Sequence, residues 1–496
     1  MFARLLSAQK QQIMSLGHAT ADAALAGLLP SGPRPQPTSR DRSRGARLRL
    51  YVYPLAWSYS GQIVEYVESR ARSLLGVKCA YLREDTCPNT GFSHLENLRS
   101  HCTDVPLMYK LLQAARIEPE PSKADIFIVP FLMGCNAMLG WGHGMQRVNA
   151  KAHHAFFGDF PRFARENLPH FARYPHRHLF LFPLDSMFAP KWLRGSMLAH
   201  TGSGYISSER LDVPVPYLVS LPSTAIATAS PNADTRTNLV FLMASPSRNQ
   251  VRVEVARQLR EAAAKQPKRG GGGAETRGGG GLGRLLRRFN VGGGGGESAP
   301  SAGASSRSIS SSPAGGVDED DGGKHGEEGV RGTRIELYET DPRKENAMPL
   351  SAQETMARMR DSTFCVAPTG DSDGFTQRFY YILAAGCIPV RIDTYYPKLS
   401  FGRVAWPSKQ TINWRRAVVL LPPDRLKRDG LLPTLANISD AQISRMREYI
   451  SRVVRPHVLF DYRGRSPDAF SAFLDELLHL SKTKLPRLDQ RKGTPS

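Results

Sequence analysis

The chain has 496 residues, is 41% hydrophobic, and carries a formal charge of +21 from 66 basic and 45 acidic side chains. That length and apolar share fit a globular protein with two or three sizeable cores, and no run of about 20 apolar residues is present, so no transmembrane helix is visible. The charge favours an acidic partner (nucleic acid, nucleotide phosphate, anionic membrane or acidic polysaccharide), but the basic residues are dispersed and lack interleaved aromatics, which argues against nucleic acid.

Residues 1–45 are rich in Arg, Ser and Ala and end in "PSGPRPQPTSRDRSRGAR", which predicts a disordered N-terminal segment. An organelle transit peptide has a similar composition. The preferred reading is a disordered tail together with a membrane anchor that is missing from the chain. A strand follows at 47–55, "RLRLYVYPL", then a helix at 61–75 with Ile63, Val67 and Leu74 on one face. "VPLMYKLLQAA" is a second helix. "ADIFIVPFL" (124–132) and "HLFLFPLD" (178–185) are near-continuous apolar runs, as expected of strands buried on both sheet faces. Alternating buried strands and helices predict a parallel α/β domain over 46–230.

The pattern restarts at 235–265 with strand "NLVFLMAS", turn "PSRNQ" and helix "VRVEVARQLREAAAK". Residues 266–332 are Gly, Ser and charge, with "GGGGG" and "DEDD" runs. They are too polar to bury a core and predict a disordered insert. The fold resumes over 333–436 with strand "TRIELYET" and a helix opened by the capping box of Ser351 and Glu354. C-terminal helices occupy 437–480: one starts at a second capping box, Ser439 and Gln442, and "PDAFSAFLDELLHL" closes the fold as an amphipathic helix. Residues 481–496 read as a disordered tail.

Six cysteines, Cys79, Cys87, Cys102, Cys135, Cys365 and Cys387, include no C-x-x-C pair, so zinc and thioredoxin-type readings are weak. Their even number permits disulfides in an oxidising lumen. Cys365 and Cys387 lie inside apolar runs and read as buried small hydrophobes.

The chemistry concentrates in "FCVAPTGDSDGFTQRFYYILAAGCIPV", residues 364–390. A buried strand runs into a turn with Gly370, Ser372, Gly374 and Thr376, and the turn opens a helix. In parallel α/β sheets ligands bind at the carboxyl ends of strands, and the free N–H groups of a helix N-terminus favour an anion. Arg378 in the first helical turn opposes the helix dipole unless an anion outweighs that cost, and its planar fork suits phosphate. The turn matches neither a P-loop nor a dinucleotide fingerprint.

This block resembles the signature of exostosin-like glycosyltransferases. "ADIFIVPFL", "HLFLFPLD", "NLVFLMAS", "INWRRAVVLLPP" and "ISRMREYISRVVRPHVLFDY" agree with that family in order, from about Leu48 to Leu480 apart from the insert. The resemblance implies a GT-B architecture, with two Rossmann-like domains facing each other across a cleft: an acceptor side, 46–230, and a nucleotide-sugar side, 235–265 with 333–436. It implies an inverting transfer of a hexosyl or pentosyl group from a nucleotide sugar, usually a UDP-sugar, to a polysaccharide or glycoprotein glycan. No tightly bound cofactor and no metal are expected. Family members are Golgi proteins held to the membrane by one N-terminal helix, and another glycosyltransferase subunit is an allowed partner. This chain departs in showing no anchor.

Carried onto this chain, the resemblance makes Arg378 the diphosphate contact, with Gly370, Ser372 and Thr376 around it. Thr376 reads equally as the helix cap. Arg248, between the strand and helix of 235–265, is a second candidate for the leaving diphosphate. An inverting transfer needs a base for the acceptor hydroxyl, and Asp185, at the end of "HLFLFPLD", is the candidate, with an Asx turn or a cap as the ordinary alternative. The family commonly places Glu three residues after the Arg, to grip the ribose. This chain has Tyr381, one helical turn from Arg378, with one oxygen where a carboxylate has two. That departure keeps open a catalytically inactive scaffold or carbohydrate-binding protein. Histidines from His143 to His200, including His153, His154, His176 and His178, lack metal spacing and read as acceptor-side surface. Trp141 reads as a sugar-stacking ring or a loop anchor.

Overall fold

The computed structural model describes residues 28–55, 57–76, 78–84, 87, 94–140, 158–184, 189–193, 195–202, 211–219, 236–244, 250–265, 334–339, 350, 352–369, 375–392, 406–464 and 467–485. The expected insert, Ser351 of the first capping box, Trp141, His143, His153 and His154 lie outside these residues. Both sheets fall in one unit, Met1–Ala264 with Arg331–Ser496, and Lys265–Val330 form a second unit.

The first sheet holds β1 (Arg49–Val52), β2 (Arg116–Ile117), β3 (Ile126–Ile128), β4 (His178–Leu181), β5 (Met197–His200) and β6 (Asp212–Pro214). All pairs are parallel, in the order β2-β1-β3-β4-β5-β6. Prolines explain why these strands are shorter than their apolar runs. Pro54, Pro130 and Pro183 lack the N–H that a ladder needs, and each lies just past the end of β1, β3 or β4. β3, β4 and β5 are buried at every residue, as strands covered on both faces must be.

Four helices matter in this half: α1 (Ser39–Gly45), α2 (Gly61–Leu75), α3 (Asp104–Ala114) and α4 (Met133–Gly140). α2 buries Ile63, Val64, Val67 and Ala71, but Leu74 is 52% exposed. The expected stripe stops one turn early because Leu74 belongs to the last turn, which Gly76 ends in the left-handed region at φ 63°.

The second sheet holds β7 (Asn238–Ala244), β8 (Arg334–Glu339), β9 (Ser362–Pro368), β10 (Ile388–Ile392) and β11 (Val419–Leu421), parallel throughout in the order β11-β10-β9-β7-β8. Its helices include α5 (Gln250–Lys265), α6 (Ala352–Arg360), α7 (Gln377–Ala384) and α8 (Asp440–Tyr449). Each sheet has its own hydrophobic cluster. The chain is therefore α/β, with two parallel sheets consistent with two Rossmann-like halves.

The last helix, α9 (Ala469–Thr483), returns to the first half. Phe470, Phe473, Leu474 and Leu477 pack into the first cluster, each contributing about 1.5–3 kcal/mol of apolar burial. The expected block 437–480 thus divides: Ile443, Tyr449, Ile450 and Val454 join the second core, and α9 joins the first. The expected Ser439–Gln442 capping box is present, and α9 has another, between Asp468 and Ser471.

Residues 28–45 correct the expectation of disorder. Leu28 and Leu29 are buried, and α1 opens with a capping box between Thr38 and Asp41. Arg83, paired with buried Glu68, donates to the carbonyls of Pro30, Ser31 and Pro33. Arg44 reaches Asp475 of α9. A Pro-rich segment has no core of its own, but its carbonyls serve an arginine that would otherwise be buried without enough acceptors.

The cysteines form three disulfides, Cys79–Cys87, Cys102–Cys135 and Cys365–Cys387. Cys365 and Cys387 are buried as expected, but they are bonded to each other rather than being small hydrophobes. Their strands β9 and β10 are neighbours, so a separation of 22 residues closes to 5.9 Å between Cα atoms.

Candidate functional site

β9, buried at every residue, delivers the chain to Thr369 at its carboxyl end. Residues 370–374, with Gly370 and Ser372, lie outside the described residues, as do Asp185 and Arg248. The chain is described again at Phe375. Thr376 occupies the N-cap position of α7 in extended backbone, yet its side chain makes no capping bond. α7 ends in a Schellman arrangement: Gly386 N–H donates to the Leu383 carbonyl and Cys387 N–H to the Ile382 carbonyl, with Gly386 at φ 69°.

Arg378 lies in the first turn of α7, half-buried. Desolvation pulls its pKa down to about 9, and the nearby Arg252 guanidinium pulls the same way. Among the described residues no hydrogen bond or ion pair reaches its side chain. Arg252 comes from the first turns of α5, the helix after β7. It is buried, and its Nε donates to the Thr369 carbonyl at 3.1 Å. Two helices that follow neighbouring strands therefore bring two guanidinium groups to one strand end. Thr369 Oγ1, also buried there, has no partner among the described residues. On β10, Arg391 is buried with its guanidinium 4.6 Å from the Phe375 ring centre and 5.5 Å from that of Trp406. A pocket of about 10 Å³ between Thr369, Phe375, Thr376 and Arg391 holds roughly one water.

Arg236 provides the contrast. Desolvation also pulls it down to about 9, but it donates to the Ser362 carbonyl at 2.6 Å and the Gly386 carbonyl at 3.0 Å. Those acceptors sit at the opposite end of β9, where a cation satisfies strand and helix carbonyls. Arg236 is a structural arginine, and among the described residues no such acceptors reach Arg378. A half-buried cation beside another cation is a site that an anion relieves.

Tyr381 shares no exposure with Arg378: it is 1% exposed. Its hydroxyl accepts from Gln377 Nε2 at 3.5 Å, and the same amide donates to Ser100 Oγ. Tyr381 thus packs where the carboxyl edge of the second sheet meets the first half. Leu218 N–H reinforces that meeting by donating to Thr103 Oγ1 at 2.8 Å, and Tyr217 stacks edge-on to both His101 and Tyr380.

Of the described histidines in that stretch, three are core residues, which corrects the expectation of an acceptor-side surface for them, and His170 is half-buried. His176, His178 and His200 are each 2% exposed or less. His178 Nδ1 donates to the Tyr174 carbonyl and Nε2 accepts from the Tyr53 hydroxyl, both at 2.7 Å. Burial pushes its pKa down to about 3, so it stays neutral.

Asp104 went unnoticed in the sequence. It starts α3, and its Oδ2 accepts from the N–H groups of Gly134 and Cys135 at the start of α4. Burial raises its pKa to about 7 against those bonds. Cys102 and Cys135 flank it but are bonded together, so the trio offers no thiolate to a metal. A raised carboxyl pKa makes the folded state most stable where the group is neutral, and that advantage is lost as pH rises from about 4 through 7. Asp104→Asn keeps an acceptor and removes the charge. Melting curves should coincide with wild type near pH 4 and lie a few degrees higher at pH 7.5. Parallel curves across that range would remove Asp104 as the cause.

Residues 298–437 match the family model described as the Exostosin GT47 domain, which supports the exostosin-like resemblance read from the sequence. The match contains β8 through β11, Arg378 and Tyr381. No curated protein matches the chain.

Proposed function

We propose, from the premise that the chain carries an exostosin GT47 domain, that it is an inverting glycosyltransferase of GT-B type. It would move a sugar from a UDP-sugar to a polysaccharide or glycoprotein glycan. The observation that carries this reading is the Arg378–Arg252 pair at the carboxyl end of β9, a place for a diphosphate. Thr376, with no capping bond, adds a hydroxyl. Gly370, Ser372 and Arg248 are the further candidates for the donor phosphates, and Asp185 is the candidate base for the acceptor hydroxyl. The Gln377–Ser100 contact supports carboxyl edges that face each other. Three disulfides suit an oxidising compartment such as the Golgi lumen. Among the described residues no helix is long and apolar enough to cross a membrane.

A second reading, an inactive family member that binds without transferring, is favoured by one observation. The position where the family commonly has an acid holds Tyr381, buried against Gln377. A thermal-shift series separates the readings. A nucleotide at 100 times its Kd stabilises the folded state by about 2.7 kcal/mol. UDP should raise the melting temperature by several degrees, more than GDP or uridine, and UDP-sugar turnover should follow. UDP binding without turnover on any acceptor selects the inactive reading. No shift with any nucleotide overturns the transferase reading and favours the inactive scaffold or carbohydrate-binding one.

A further inference from the structure

The strongest unexplained surface lies at the other end of the second sheet. Arg415 and Arg416 precede β11, so they stand at its amino end, opposite the edge that carries Arg378. With α8 they border an open groove of about 410 Å³. Its rim is cationic: Arg415, Arg416 and Arg445 are all exposed. Its floor is aliphatic, from Val419, Ile438 and Met446. The nearby acids are few. Among the described residues these are Glu448, which pairs with Arg452, and Asp440, which opens α8 between the lining residues Ile438 and Gln442.

We propose that this groove docks an extended acidic segment of a partner polypeptide. Among the described strands β11 is the edge of its sheet, paired with β10, and edge strands accept an added strand through free backbone groups. The aliphatic floor takes the partner's apolar side chains, and the arginine forks take its carboxylates bidentately. A sugar chain fits less well. Sugars lie against bare aromatic faces, and none of the groove's described lining residues is aromatic; the nearby Tyr449 is buried, with the Arg416 guanidinium 4.3 Å from its ring centre.

The test uses the full chain and fluorescein-labelled peptides of alternating Glu and Leu, with a Gln-for-Glu counterpart as control. Binding is read by anisotropy. The acidic peptide should bind, the Gln peptide should not, and Arg416→Glu with Arg445→Glu should weaken binding by roughly tenfold or more. The matching Arg→Lys pair should bind more tightly than the charge-reversed pair but less tightly than wild type, because lysine supplies the charge without the fork. UDP-induced thermal shifts should be the same in all variants, which certifies the fold and separates this site from the nucleotide reading. Failure of the acidic peptide to bind, or equal binding by the charge-reversed variant, overturns the proposal. So does polygalacturonate binding that is lost in that variant while the two peptides behave alike, because the groove would then be a glycan site.

Discussion

Lys110→Met is expected to destabilise the protein by about 3–5 kcal/mol, the scale for breaking a buried ion pair from one side. Lys110 is fully buried, and its Nζ donates to Asp468 Oδ2 and to the Asp461 carbonyl. Asp468 is 1% exposed and also caps α9 through the Ser471 N–H. Burial raises the Asp468 pKa, and Lys110 is the main force holding it down. Without the lysine, the carboxylate must either stay charged without a counterion or take up a proton. The loss should therefore be largest at neutral pH and shrink in acid, where a raised carboxyl pKa does no harm. A loss of that size lowers the melting temperature by about 6–20 °C. Adding Asp468→Asn should recover part of it, since both charges are then gone. Because Lys110 belongs to α3 and Asp468 opens α9, proteolysis should release α9 first. A single mutant that melts with wild type would show that water already solvates this pair.

The elements that sequence predicts well are those with one dominant signal. Buried parallel strands read as apolar runs, and the β9–turn–α7–β10 passage follows from its two runs and from Gly386 at the helix end. What stays hidden depends on which surfaces meet. α9 is amphipathic from its spacing, but nothing in that spacing says that its apolar face belongs to the first core. Arg252 looks like a solvent-face residue of an amphipathic helix. Only the placement of α5 beside the end of β9 turns it into a partner of Arg378. The Cys365–Cys387 bond needs strand order, which separation along the chain does not encode. Residues 30–37 read as linker from their prolines, yet their carbonyls are acceptors for Arg83. Tyr381 was legible as a departure from the family, but its burial was not.

Arg378→Met should separate stability from function. A guanidinium keeps its proton at neutral pH, so the pull on Arg378 toward about 9 is a strain on the empty protein rather than a lost charge. Part of that strain is screened because the side chain is half-exposed, which leaves about 1–2 kcal/mol as the gain from removing it. The variant should therefore melt at or slightly above wild type without ligand. With UDP the order should reverse. Losing a charge-assisted bond to a diphosphate costs about 1.5–3 kcal/mol, or about 10- to 150-fold in affinity. Arg252→Met should act in the same direction, although it also frees the Thr369 carbonyl and so gains less stability. The double variant should lose more than about 100-fold, short of the product of the two single effects because both cations face one anion. Calorimetric titration with UDP and with pyrophosphate reads these losses directly. Equal fractional losses for both ligands place the arginines on the diphosphate. A loss for UDP alone would place them on the nucleoside, and unchanged affinity for both would leave the pair with no part in the site.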